Sequence, residues 1–253
     1  MKSINTDKYR QILQHKSFRN FWLGFTFSGI GDAMARVALT WYVWEKTHSA
    51  AALGLLTFMY LAPVIVGGLA AGWLLDRYDR RKVIMIDNLV RGVVMSILPI
   101  VNWAGVLELW HVYAIAGVYG ALMMISVAGG PALVPSLVPE EQLATANALE
   151  TVSWTLSGVV GPPIAGLLLA QFGAMNVVII DALTYFLFAY LLTKVVVPVE
   201  EEQEAQVGVG QGQKSYGLGD AVRLMMQEKV LLATTLMFMS LVPGIRFNRY
   251  IND

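Results

Sequence analysis

The 253-residue chain is 56% hydrophobic and only 14% charged, where soluble domains carry about 45–50% and about 25%. Its charges cluster between long apolar runs, which is the pattern of a chain whose solvent is partly lipid. A net charge of zero removes any electrostatic case for nucleic acid as a partner, and the absence of cysteine excludes disulfides and thiolate metal sites.

The first 17 residues, with Asp7, Lys8, Arg10 and Lys16, are too polar to hold the apolar region of a signal peptide. The first apolar segment is therefore expected to stay attached as an anchor. A helix needs about 20 residues to cross the hydrocarbon. Six segments reach that length: 20–44, 50–74, 83–104, 110–134, 146–170 and 176–197. Short polar punctuation between them makes consecutive helices antiparallel neighbours. The alternating pattern of membrane β-strands is not seen. Lys2, Lys8, Arg10, Lys16 and Arg19 precede the first segment, and Arg77, Arg80, Arg81 and Lys82 separate the second from the third. The loops of the opposite side hold only Lys46. The positive-inside bias then predicts a multi-pass protein with a cytoplasmic N-terminus and Lys194 at the inner end of the sixth span.

Two pairs of charges fall inside the spans. Asp32 and Arg36 lie in the first, and Asp87 and Arg91 in the third. Each charge at a helix centre costs about 2.5–3.5 kcal/mol on insertion scales. Both pairs are spaced i, i+4, so each Asp can partly neutralise its Arg. Asp32 is about 20 Å along the helix from Arg19, beyond the bilayer middle, and is a candidate cavity or coupling site together with Arg36. Asp87 and Arg91 begin only about 7 Å from the cytoplasmic edge and read as a structural ion pair that locks helices together.

A shift of 94 residues lays the second span on the fifth and the third on the sixth. Val66-Gly67-Gly68 meets Val160-Gly161-Pro162, Gly72 meets Gly166, and Asp87 meets Asp181. Three spans separate the copies, so they cross the membrane in opposite senses. The loop Asp76–Lys82 is basic and its counterpart Ala170–Asn176 carries no charge, as expected if only the cytoplasmic copy obeys the charge bias. The expected fold is an all-α membrane protein: a six-transmembrane-helix bundle of two inverted three-helix repeats over residues 1–197. Ser157, Gly158, Gly161 and Ala165 on the fifth span, with Gly67, Gly68, Ala71 and Gly72 on the second, are expected to let backbones approach closely. Pro162-Pro163 is expected to kink or open its helix.

Residues 198–229, beginning with Glu200-Glu201-Glu202, read as a solvated cytoplasmic linker ending in a short amphipathic helix. Residues 230–253 read as an incomplete seventh span with an aberrant tail. Its apolar run, Val230–Val242, is too short to cross the hydrocarbon. The change after Leu241 is expected to mark a frameshift or premature stop.

The stretch Gly72-Trp73-Leu74-Leu75-Asp76-Arg77-Tyr78-Asp79-Arg80-Arg81-Lys82 resembles the signature loop between helices two and three of the major facilitator superfamily. Asp79 stands where Gly is usual, and the Asp-Arg-Arg form is similar to the macrolide-efflux and enterobactin-exporter branch. Ser157 through Gly161-Pro162 to Gly166 resembles the antiporter motif of helix five. The resemblance covers residues 15–235. It implies a bacterial plasma (inner) membrane exporter of small amphiphilic molecules, of drug or siderophore type. It also implies alternating access gated by Asp76, Arg77, Arg80 and Arg81, with Gly161, Pro162 and Gly166 shaping a cavity-lining helix. No cofactor is implied. Proton coupling is implied for members with an Arg in helix four, which has no counterpart between His111 and Pro131. Family members have twelve helices in two halves, so this chain would supply the N-terminal half. Its partners would be the lipid bilayer, a small-molecule substrate, and a second transporter half or a homodimer. The competing reading is a non-transporting membrane fragment. An enzyme is the weakest reading, because His15, His48 and His111 are not spaced as metal ligands.

Overall fold

The computed structural model describes residues 6–197. The expected linker at 198–229 and the incomplete seventh span at 230–253 lie outside the described residues. A short helix α1 (Thr6–Ile12) precedes six long ones: α2 (Lys16–Thr47), α3 (Ala50–Arg77), α4 (Arg80–Trp103), α5 (Leu109–Leu133), α6 (Leu143–Phe172) and α7 (Ala174–Thr193). Two 3-10 turns, Val134–Ser136 and Glu140–Gln142, join α5 to α6. There is no strand among the described residues.

The six apolar segments each coincide with one long helix. Five of these are long and apolar enough to cross a membrane, namely α3 to α7. The remaining one, α2, has ample length, but Asp32, Arg36 and flanking charges leave it without an uninterrupted stretch as apolar as those of α3 to α7.

Local chemistry sets the ends. His48 adopts the left-handed conformation (φ 46°) and its N–H donates to the Trp44 carbonyl at 2.8 Å, closing α2 as glycine more often does. Ser49 then caps α3 by accepting from the Ala52 N–H. At the basic turn, Asp79 accepts from the Lys82 N–H at 3.2 Å and so caps α4. Its φ of −52° needs no glycine, which explains how this chain tolerates Asp at a position where the family usually has Gly.

The principal packed pairs are α3 with α5, α2 with α7, α4 with α7, α2 with α6, and α4 with α5. Exchanging α2 with α5, α3 with α6 and α4 with α7 returns the same set. Helices α4 and α7 meet at the centre, while α3 and α6 lie outermost with much of their apolar surface exposed. On α3, Ile65 is 75% and Val66 70% exposed. Water would make that surface costly, and hydrocarbon makes it neutral.

Glycine places the two outer helices. A Cβ on Gly67 would collide with the Ala121 carbonyl oxygen of α5. A Cβ on Gly161 would come within 3.3 Å of the Ile30 carbonyl oxygen of α2 and would crowd Ala33. These two glycines are 94 residues apart and sit at exchange-related interfaces. Ser157 and Ala165 extend the Gly161 stripe and are both buried, Ser157 facing Gly29 of α2.

The other glycines expected at close approach behave differently. Gly72, Gly158 and Gly166 have nothing within 4 Å of a built Cβ, and Gly68 meets only Met124 at 3.8 Å. Five residues at about 3.6 per turn rotate Gly72 and Gly166 roughly 140° away from Gly67 and Gly161. They therefore face away from the neighbouring helix. Pro162 and Pro163 do not break α6, which runs continuously from Leu143 to Phe172. The carbonyls they leave unpaired, those of Gly158 and Val159, belong to exposed residues, so the missing bonds fall on the helix's outer side.

A single added methyl at the two tight glycines is expected to destabilise the bundle by about 1–3 kcal/mol, through overpacking against backbone. Gly67→Ala and Gly161→Ala should each lower the thermal unfolding midpoint in detergent. Gly72→Ala and Gly166→Ala should stay within about 0.5 kcal/mol of the parent.

Candidate functional site

Charged and hydroxyl side chains of α2, α4, α5 and α7 converge at the middle of the bundle. Arg91 of α4 is 2% exposed and Asp87, one turn earlier, is equally buried. The Arg91 Nε and Nη2 atoms donate to Asp87 Oδ2 at 3.1 and 2.6 Å. Two donors on one oxygen are charge-assisted bonds, which are the stronger kind. Ser126 of α5 donates to the same oxygen at 2.9 Å and also accepts from Arg91. Arg91 Nη1 then donates to the Tyr185 hydroxyl of α7 at 3.3 Å, and Tyr185 donates to Asp32 Oδ1 of α2. The guanidinium also lies 4.6 Å from the Tyr185 ring centroid, where the ring face attracts a cation.

This chain of donors runs across three helices in one direction, from Arg91 of α4 through Tyr185 of α7 to Asp32 of α2. It follows the same exchange that relates the helix pairs. A shift of 94 residues carries Asp32 to Ser126, Asp87 to Asp181 and Arg91 to Tyr185. The contact of Arg91 with Ser126 thus maps onto that of Tyr185 with Asp32.

The structure treats the two sequence-paired charges differently. Asp87 and Arg91 form an ion pair that is tied to α5 and α7, deep in the bundle. Arg91 lies eleven residues into α4, or about 16 Å at helical rise, so the pair reaches well past the edge at which its sequence position suggested it would sit. Asp32 and Arg36 do not pair. Asp32 is half-buried and turned to Tyr185. Arg36 is exposed and opens on a separate cleft of about 420 Å³, lined also by Trp41, Trp44, Gly158 and Pro162. A long guanidinium stem can leave the bundle where a short Asp cannot. Asp32 instead faces a narrow cavity that it shares with Ser28, Arg91, Ser126, Ser153 and Ser157. Of the helix-five trio, Gly161 is packed on α2, Pro162 lines the Arg36 cleft, and Gly166 is open.

The basic turn clamps helix ends. Arg80 donates to the Ala132 carbonyl of α5 at 2.9 Å, and Arg81 donates to the Val195 carbonyl just beyond α7. Carbonyls at helix C-termini carry the negative end of the dipole and favour such cations. Ser17, at the start of α2, donates to the Val196 carbonyl at 3.1 Å. The starts of α2 and α4 and the ends of α5 and α7 therefore share one face of the bundle, the face that carries Arg80, Arg81, Lys82 and Lys194. Asp76 and Arg77 are exposed there, with Arg77 lying 5.5 Å from the Trp73 ring centroid. Among the described residues no ion pair joins Asp76, Arg77, Arg80 and Arg81 to one another, and the pair at this turn is Lys82 with Asp79 at 3.4 Å.

Sequence reasoning did not single out Tyr185 and Ser126 as functional candidates, and it used Asp181 only to align the repeats. Asp181 is fully buried on α7, and among the described residues neither carboxylate oxygen has a partner. A lone acid in an apolar 20-residue helix was the available signal. Glu150 of α6 is also buried, beside Phe21, Phe25 and Gly130, with Oε1 unpartnered.

A family model described as the Major Facilitator Superfamily matches residues 21–248. The chain is 31% identical over 166 residues to macrolide efflux protein A of Streptococcus pyogenes, covering 66% of this chain and 41% of that protein. It is 25% identical over 161 residues to the staphyloferrin A transporter of Staphylococcus aureus, covering 62% and 40%. It is 26% identical over 164 residues to multidrug efflux pump Tap of Mycobacterium tuberculosis, covering 61% and 38%. The chain thus spans about two-fifths of the length of the curated relatives it matches. The family is one of transporters rather than enzymes, and its model reaches from the start of α2 to beyond the described helices. With its apolar helices exposed to the outside, the chain is a multi-pass membrane protein and belongs to the Major Facilitator Superfamily.

Proposed function

We propose that this six-helix bundle is one half of a bacterial inner-membrane permease that exports small amphiphilic molecules, of drug or siderophore type, by alternating access. The observation that carries the reading is the family match over residues 21–248, together with relatives whose names specify efflux. The exchange-related helix pairs, the equivalent tight glycines Gly67 and Gly161, and the mapping of Arg91–Ser126 onto Tyr185–Asp32 support an inverted three-plus-three repeat. Such repeats place coupling sites near the midplane, where they meet. Helix α2 acts as the sixth span, because its Asp32 is carried by hydrogen bonding inside the bundle rather than by lipid.

Substrate leaves through the Arg36, Trp41 and Trp44 cleft near the outer end of α2, where an aromatic wall beside a cation suits amphiphilic molecules. The opposing wall comes from a second half or a second copy, since rocking needs two bundles. The basic turn lies on the cytoplasmic side with the N-terminus. Arg80 and Arg81 already hold helix ends. Exposed Asp76 is the member of the turn that is free to engage the partner bundle and to bias one access state.

Because the chain has no cysteine, single-cysteine labelling reads topology directly. Lys82→Cys is expected to react with a membrane-impermeant thiol reagent only from the cytoplasmic side, and Val106→Cys only from outside. Reversed reactivity rejects the orientation. In proteoliposomes, efflux of a fluorescent amphiphilic cation is expected when a second six-helix half is co-expressed and not from the chain alone. Absence of flux in both preparations rejects transport. Asp76→Asn is expected to slow that flux about tenfold or more with little effect on thermal stability, and an unchanged rate would remove the gating role. Arg91→Leu leaves Asp87 buried without its cation. It is expected to cost about 3–5 kcal/mol, read as a large fall in the unfolding midpoint.

A further inference from the structure

The two halves of the central network are related by exchange, but they differ in charge. Asp87 has Arg91 four residues later on its own helix face, and the two pair at 2.6 Å. Asp181 occupies the related position on α7, and four residues later stands Tyr185, which brings no charge. Asp181 is fully buried, and both of its carboxylate oxygens lack a partner among the described residues. It packs against Gly31 of α2, where a built Cβ would come within 2.7 Å of Asp181 Oδ1. That contact places it beside Asp32, the next residue on α2.

The charged and titratable groups around Asp181 are few. From α2 come Asp32, which accepts from Tyr185, and Arg36, which is exposed and forms no ion pair among the described residues. From α4 come Asp87 and Arg91, already committed to each other. From α7 itself comes Tyr185. The only ionisable side chain of α6 is Glu150, which sits apart among Phe21, Phe25 and Gly130. Tyr60 of α3 and Tyr119 of α5 add hydroxyls but no charge. Three acids therefore share one buried cation. An ionised carboxylate that is fully buried, with no partner among the described residues and lipid beyond the helices, carries a desolvation cost that neutralisation removes.

We propose that Asp181 is a proton-binding site: its carboxyl holds a proton in this state, and the neighbouring Asp32, reached from the narrow polar cavity, is the group that exchanges it. The single ion taken up is H⁺. It adds to a carboxylate oxygen and leaves as H⁺ to Asp32 or to water in the cavity, with no other bond changed. Helix α7 thereby supplies a proton site without an Arg in α5. The inference rests on the reading of the bundle as membrane-embedded, but not on transport.

The test is infrared difference spectroscopy of the full chain in lipid at neutral pH, comparing the parent with Asp181→Asn. The expected spectrum shows loss of one protonated-carboxyl carbonyl band, which shifts in D₂O. Glu150→Gln should leave that band in place. Loss of ionised-carboxylate bands instead would overturn the proposal. So would conversion of the carbonyl band to carboxylate on adding NaCl, which would make the ligand a metal cation. An Asp181→Asn chain that fails to insert, or that loses most of its thermal stability, would also overturn it, because an amide reproduces the shape and neutrality of the protonated acid. No substrate or second half is present in the measurement, so a chain inactive in flux assays can still pass or fail it.

Discussion

The bundle depends on how it accommodates one guanidinium. Arg91 sits buried at the crossing of α4 and α7, away from the headgroups. Its cost is offset by bonds to Asp87, Ser126 and Tyr185, and by the Tyr185 ring. Those partners come from three helices, so satisfying a single cation fixes the positions of α4, α5 and α7 together. Tyr185 passes the constraint to Asp32 and so to α2. In lipid, apolar side chains gain little by preferring one another over hydrocarbon. The polar chain and the close backbone contacts at Gly67 and Gly161 therefore carry much of the specificity of assembly.

This arrangement makes the centre stiff and the periphery permissive. Helices α3 and α6 attach through narrow stripes of small residues and leave most of their apolar surface outward. They also carry prolines in mid-helix, at Pro63 and at Pro162-Pro163. The distribution of polar bonds thus divides the molecule into a rigid axis and outer helices that can adjust, as the proposed rocking against a second bundle would need. At the basic face, Arg80 and Arg81 tie the start of α4 to the ends of α5 and α7. Movement of the turn would thus be felt at three helix ends.

The exchange relation holds for the packed helix pairs and is incomplete in chemistry. Ser126 replaces Asp32 and Tyr185 replaces Arg91, so in each contact α2 or α4 contributes the charged member and α5 or α7 the neutral one. Repeating Asp and Arg in both halves would have brought two guanidinium groups together at the axis. The divergence removes that repulsion and leaves Asp181 without a cation, which is where the symmetry breaks most sharply.

The six long helical segments, the apolar character of α3 to α7 and the basic turn were legible in the chain itself. Apolar run length and punctuation by charge are local properties, and the lipid solvent imposes them segment by segment. The Asp87–Arg91 pairing was legible for the same reason, since i, i+4 spacing on one helix needs no other element. The identical spacing of Asp32 and Arg36 produced no pair, because a tyrosine 153 residues away took the carboxylate. In the same way, Gly67 and Gly72 look alike in sequence, and only the neighbouring helix distinguishes a packed glycine from an open one. What the sequence determined by itself was which segments are helices and which charges fall inside them. Tertiary structure alone decided which partner each buried group meets, because hydrogen bonds between helices depend on rotation and depth that no single segment encodes.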